Sequence, residues 1–258
     1  MTPATGKFVW YELATSDVPA AEAFYRRVIG WDAKDAGMEG QAYTLLSAGP
    51  NMVVGLFSMA GQGCDGPPKP SWMGYIGVED VDAHAALVQE GGGSILRPPA
   101  DIPGVGRFAV AADPYGAVFM LFKGTSDPGP APVQPGTPGH IGWHELHAGN
   151  GEGAFAFYSK LFGWTKAEAM DMGRLGLYQI FAVGGIPVGG MMTKMPEAPV
   201  SFWLYYVTVE GIDAALKRNE EGGGKLLMGP EQVPGGSWIA QCLDPEGAIF
   251  AMVAPVRA

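Results

Sequence analysis

Apolar residues recur at helical spacing in four short stretches and at strand spacing in many more. Ala21, Phe24, Tyr25, Val28 and Ile29 fall at i, i+3, i+4, i+7 and i+8 and make one apolar face. Asp17 stands where a cap is needed, Pro19 in the first turn, and Gly30 where the helix stops. Ala154, Phe157, Tyr158, Leu161 and Phe162 repeat that phasing between Asn150 and Gly163, so the two helices should dock alike. Shorter helices are predicted at about 81–90 and 212–221, each followed by three glycines. Between the helices lie β-rich runs such as YTLLSA, MVVGLFSM, RFAVAAD and AVFMLF, parted by Asp-Pro-x-Gly or Gly-Pro turns.

The pattern is duplicated. WYELATSDVPAAEAFYRRVIGW from Trp10 recurs as WHELHAGNGEGAFAFYSKLFGW from Trp143, an offset of 143 − 10 = 133. YIGVEDVDAHAALVQEGGG from Tyr75 returns from Tyr206, and DPYGAVFMLF from Asp113 returns from Asp244, both offset by 131. Each copy holds a fainter repeat, with VVGLF from Val53 resembling VFMLF from Val118, so the chain reads as four units of strand, helix and three strands. A Pro/Gly-rich segment at 124–138 has no apolar periodicity and reads as a linker between domains at 1–123 and 139–258. In extended polyproline form a dozen such residues span on the order of 35 Å, enough to let the copies pack as an internal pseudo-dimer.

Taken together, the repeated βαβββ units, the D-x-P-x-A-x-x-FY helix start, the Gly-Trp after that helix and the D-P-x-G turn before the last strand resemble the vicinal oxygen chelate superfamily of glyoxalases, bleomycin-resistance proteins and extradiol dioxygenases. The resemblance covers almost everything outside the linker. It implies an α+β fold of tandem βαβββ modules, forming two cup-shaped mixed-sheet domains with ligands bound inside the cups. Metal-dependent members place a His or Glu at each of four cup-lining positions. Here those positions fall at Trp10, Gly55, Met73 and Met120, and again at Trp143, Gly190, Leu204 and Ala251. None offers a donor suited to a hard divalent cation. The expectation is therefore no metal and no cofactor.

Residues i and i+2 of a strand share a face, so Trp10 pairs with Glu12, and Trp143 with Glu145 and His147. Glu145, His147 and Glu12 are the candidate acid/base groups, since a carboxylate in an apolar cup can act as general base or as hydrogen-bond acceptor. The competing reading makes each carboxylate a buried structural group tied to an amide or a tyrosine. His147 stands where the first copy has Ala14 (147 − 133), so the fold itself does not demand a histidine there. His140, His144 and His84 read as surface residues. Trp10, Tyr43, Phe57, Met73, Tyr75, Met120, Trp143, Tyr178, Met192, Trp203 and Tyr206, with Phe122 and Met252, could line a pocket for an apolar or aromatic ligand or simply fill the core.

Composition narrows the partners. The 258 residues are 47% hydrophobic and carry a formal charge of −10, a field that repels phosphate backbones and leaves nucleic acid an unsuitable partner. No apolar run is long enough for a membrane span, and the first residues do not read as a signal peptide, so a cytoplasmic protein is expected, with a homodimer open. Cys64 reads as an exposed loop thiol and Cys242 as a buried free thiol, neither at zinc spacing. Three functions follow. The first is metal-independent binding or sequestration of a small apolar or aromatic molecule. The second is a glyoxalase-like lyase, isomerase or hydroxylase using Glu145 and His147. The third is a metal-dependent glyoxalase or dioxygenase with shifted ligands.

Overall fold

The computed structural model describes residues 5–38, 42–59, 69–125 and 133–258. The first copy runs β1 (Phe8–Thr15), α1 (Val18–Val28), β2 (Asp32–Asp35), β3 (Tyr43–Ala48), β4 (Asn51–Ser58), β5 (Ser71–Gly77), α2 (Val81–Glu90), β6 (Ser94–Ile102), β7 (Gly106–Ala112) and β8 (Val118–Gly124). The second runs β9 (Ile141–Ala148), α3 (Gly151–Phe162), β10 (Thr165–Asp171), β11 (Leu177–Val183), β12 (Ile186–Thr193), β13 (Phe202–Thr208), α4 (Ile212–Glu221), β14 (Lys225–Gln232), β15 (Trp238–Leu243) and β16 (Ile249–Ala254). These are the four βαβββ units read from the sequence.

The starts of α1, α2 and α3 are set by side chains. Asp17 accepts the Ala20 N–H at 3.0 Å, Asp80 the Ala83 N–H at 2.9 Å and Asn150 the Gly153 N–H at 3.0 Å, each satisfying an amide with no partner inside its helix. Gly163 closes α3 with φ +68°, a conformation that a side chain would strain. The strands order as β2-β3-β4-β1-β5-β8-β7-β6 in one mixed sheet and β10-β11-β12-β9-β13-β16-β15-β14 in the other. In each half a parallel pair, β1 with β4 or β9 with β12, is extended by antiparallel neighbours.

The compact units cut across the repeat. One comprises Met1–Trp10, Met73–Ala131 and Trp143–Trp203; the other comprises Tyr11–Trp72, Pro132–Gly142 and Leu204–Ala258. Each unit thus draws one βαβββ half from each copy. In the first unit, the Trp203 indole N–H donates to Tyr158 Oη at 3.1 Å, and Tyr158 donates to Asp113 Oδ2 at 3.3 Å. Asp113 Oδ1 accepts the Tyr115 and Ala117 amides of its own turn. The second unit repeats this relay with Trp72, Tyr25 and Asp244, at 3.2 and 3.0 Å. The F-Y motif of one copy is therefore the hydrogen-bond partner of the D-P-x-G motif of the other. Burial raises the pKa of both aspartates, and the turn amides only partly offset it.

The Gly-Trp motifs do similar work. Trp164 donates to the Gly6 carbonyl and Trp31 to the Gly139 carbonyl, both at 2.7 Å, and both indoles are buried. Each pins the segment that leads into the first strand of the other copy. Around Trp164 the core is aromatic, with Phe181 stacked at 4.4 Å and Tyr158 at 5.3 Å.

His144 corrects the surface expectation. It is 7% exposed, stacks on Phe8 at 4.0 Å, and pairs through Nδ1 with the Val188 carbonyl at 2.7 Å. A carbonyl only accepts, so Nδ1 carries the proton. Its strand face, opposite that of Glu145, packs into the core. Burial pushes the imidazole down to about 4. His84 is half-buried on α2, its ring stacked with Phe162 at 6.2 Å, and His140 is half-buried before β9. Cys242 is a buried free thiol pushed up to about 12 by burial. Cys64 lies outside the described residues.

Two predictions follow from this core. Tyr158→Phe strands the Trp203 N–H and one Asp113 oxygen, and should lower stability by about 2–4 kcal/mol. Urea unfolding checks this, and a loss below about 0.5 kcal/mol would show that the relay carries no weight. The His144 ring is neutral when folded and titrates near 6.5 when unfolded, so its stabilising contribution is present above pH 6.5 and is lost as pH falls toward 4. Over that window the wild type should lose about 3 kcal/mol more than His144→Gln. Parallel stability profiles for the two proteins would contradict it.

Candidate functional site

In β9, alternation puts Trp143, Glu145 and His147 on one face. The parallel partner β12 sets Gly190 beside Glu145 and Met192 beside His147. Tyr178, on the antiparallel β11, reaches diagonally over Gly190, where any Cβ would overlap its ring. Glycine is required there because the tyrosine fills the space a side chain would need.

The face is wired in series. The Trp143 indole N–H donates to Tyr178 Oη at 2.8 Å, Tyr178 donates to Glu145 Oε2 at 3.0 Å, and Glu145 Oε1 meets His147 Nε2 at 2.7 Å. The Glu145 and His147 side chains are 10% and 13% exposed. The imidazole stacks on Phe202 with centroids 4.6 Å apart and planes within 7°. Burial, then the Glu145 charge, raises the Tyr178 phenol well above its ordinary range. This arrangement can present an oriented imidazole backed by a carboxylate, the pattern used both for proton transfer and for polar ligand contact.

The first copy builds the same start without the end. Tyr43 donates to Glu12 at 2.6 Å, and Gly55 sits beside Glu12 in register under the Tyr43 ring. Ala14 takes the histidine's place, with Phe57 beside it. The pairing leaves a sequence signal that pattern reading overlooks: Tyr and Gly are separated equally in both copies, by 55 − 43 = 12 and by 190 − 178 = 12.

The other lining candidates divide. Tyr75 and Met120 form a buried cluster with Phe108, against which Trp10, Met73 and Phe122 pack. Tyr206 is buried, and its hydroxyl accepts from Gln241 at 3.0 Å. Met192 is buried next to His147 in register. Trp203 is a correction: it lies with Tyr158 and Trp164 on the α3 side, because alternation gives the His147 side to its neighbour Phe202. Counting back by twos from Tyr206 would have found Phe202. Met252 is fully buried and one residue out of phase with Ala251.

The eight positions that would carry metal ligands hold Trp, Gly, Met, Leu or Ala, and Gly55 and Gly190 are overlain by tyrosines. Among the described residues no three His, Cys, Asp or Glu side chains converge. The side chains present do not fit a divalent ion at those positions. No helix among the described residues is long and apolar enough to cross a membrane.

Comparison with known proteins gives a consistent picture. The sequence profile of the Glyoxalase/Bleomycin resistance protein/Dioxygenase superfamily matches residues 7–121 and again 138–252. CFP32 of Mycobacterium tuberculosis, whose name assigns it provisionally as a glyoxylase, is 32% identical over 95% of this chain and 94% of its own. The anthracycline biosynthesis protein DnrV of Streptomyces peucetius is also 32% identical, over 97% of this chain and 94% of its own. Among solved structures, a Mn(II)-bound glyoxalase from Novosphingobium aromaticivorans has a TM-score of 0.67 at 16% identity, over 97% of this chain and 82% of that one. The 2,2',3-trihydroxybiphenyl 1,2-dioxygenase of Sphingomonas wittichii has a TM-score of 0.68 at 12% identity, over 97% and 90% respectively. The fold is theirs, and the profile match over both halves places the chain: it belongs to the glyoxalase, bleomycin resistance protein and dioxygenase superfamily.

Proposed function

We propose that the chain binds a small apolar or aromatic molecule against the Trp143–Glu145–His147 face, without a metal or other cofactor. The observation that carries this reading is Tyr178 lying over Gly190 and donating to Glu145: it takes the room of a metal ligand and ties up the nearest carboxylate. The half-buried indole of Trp143 suits a planar ligand, and one relative is named for anthracycline biosynthesis. A small molecule, rather than nucleic acid or a membrane, is the partner in this reading, and the setting is cytoplasmic.

A second reading is supported by the 2.7 Å contact between Glu145 and His147. Such a pair can take a proton from a ligand and return it, as a lyase, isomerase or hydroxylase requires. Glu12 lacks the histidine, so this capacity belongs to the second copy.

Titrating an anthracycline into the protein in the presence of a chelator, followed by tryptophan fluorescence, should give saturable binding. His147→Ala should weaken it by about tenfold or more. Binding that appears only after a divalent metal is restored would overturn the proposal. Where a turnover accompanies binding, Glu145→Gln should abolish it while leaving binding measurable; undiminished turnover in that variant would remove the acid/base reading.

A further inference from the structure

The hydrogen bonds on the β9 face have a direction, and it fixes which nitrogen of His147 carries a proton toward Glu145. An indole only donates, so Tyr178 Oη accepts from Trp143 and its own proton goes to Glu145 Oε2. An ionised carboxylate only accepts, so in the contact with Glu145 Oε1 it is His147 Nε2 that carries the proton. A neutral imidazole protonated at Nε2 carries its lone pair on Nδ1. Among the described residues Nδ1 has no hydrogen-bond partner, and it is not one of the sealed polar atoms that lack one. Stacking on Phe202 holds the plane of the ring, so Nδ1 is aimed.

Resting on the binding reading above, we propose that His147 Nδ1 accepts a hydrogen bond from a hydroxyl of the ligand, which makes the ligand a phenol or enol rather than any flat hydrocarbon. The first copy, with Ala14 at this place, has no equivalent acceptor, so the hydroxyl is read by the second copy alone. The carboxylate and the tyrosine act at one remove: Tyr178 and Trp143 are positioning residues that set which oxygen of Glu145 faces the ring.

The test pairs spectroscopy with binding. Long-range nitrogen–proton NMR at mildly alkaline pH should show His147 as the Nε2–H tautomer in the free protein. In Glu145→Gln the amide oxygen can keep the Tyr178 proton while the amide N–H₂ faces His147, so the ring proton should move to Nδ1. A hydroxyanthraquinone should bind the wild type about tenfold or more tightly than unsubstituted anthraquinone. That preference should disappear in Glu145→Gln and in His147→Phe, the latter keeping the stack on Phe202. An Nδ1–H tautomer in the wild type overturns the inference, and so does equal affinity for the two compounds, which leaves the binding reading standing. Failure of both compounds to bind overturns the two together.

Discussion

The hydroxyl of Tyr178 meets Glu145 above Gly190, and what the second copy can do follows from that contact. It demands a residue with no side chain at 190 and an acceptor at 145. Once both are met, a metal ligand at 190 has no room, and the carboxylate is turned with its other oxygen toward His147. The same contact between Tyr43 and Glu12 above Gly55 is made in the first copy, which shows that it belongs to the shared scaffold. Function is then a matter of what is added to it: a histidine against Phe202 in one copy, an alanine in the other.

The scaffold beneath is held by buried polar groups paired with one another. A tryptophan, a tyrosine and an aspartate in series cross the core of each compact unit, and the aspartate also closes the turn that leads into the last strand of its copy. Leaving any member unpaired in such surroundings costs more than the bond itself contributes. That asymmetry explains why short motifs far apart in the sequence occur together. The indole of each Gly-Trp pair does the same for the segment entering a first strand, with Gly6 and Gly139 both at positive φ to admit the close approach. The first unit adds His144, kept neutral by burial even though its bond to the Val188 carbonyl favours the charged ring.

Much of this was legible along the chain because it is periodic. The helix at Val81–Glu90 and its twin at Ile212–Glu221, the caps Asp17 and Asn150, and the order of elements shared by the two repeats follow from spacing alone. Partners are another matter. Periodicity says that Tyr25 and Tyr158 point inward, but not that each reaches an aspartate of the other copy. Alternation put His144 on the face opposite Glu145, yet that face is covered by packed aromatics instead of water. Trp203 differs from Phe202 by one residue of phase, enough to put it on the opposite side of the strand from His147. In the candidate site the carboxylate, histidine and tryptophan were visible as an i, i+2, i+4 series, whereas the tyrosine-over-glycine contact needed two strands brought side by side.

The central claim is that this face is closed to a metal by its own tyrosine. Crystals soaked in Mn(II) and measured at the manganese edge test it most directly. The expected result is no anomalous peak within coordination distance of Glu145 or His147, with the Tyr178 oxygen still on the carboxylate. A manganese ion ligated by either residue, with Tyr178 swung off Gly190, would contradict it.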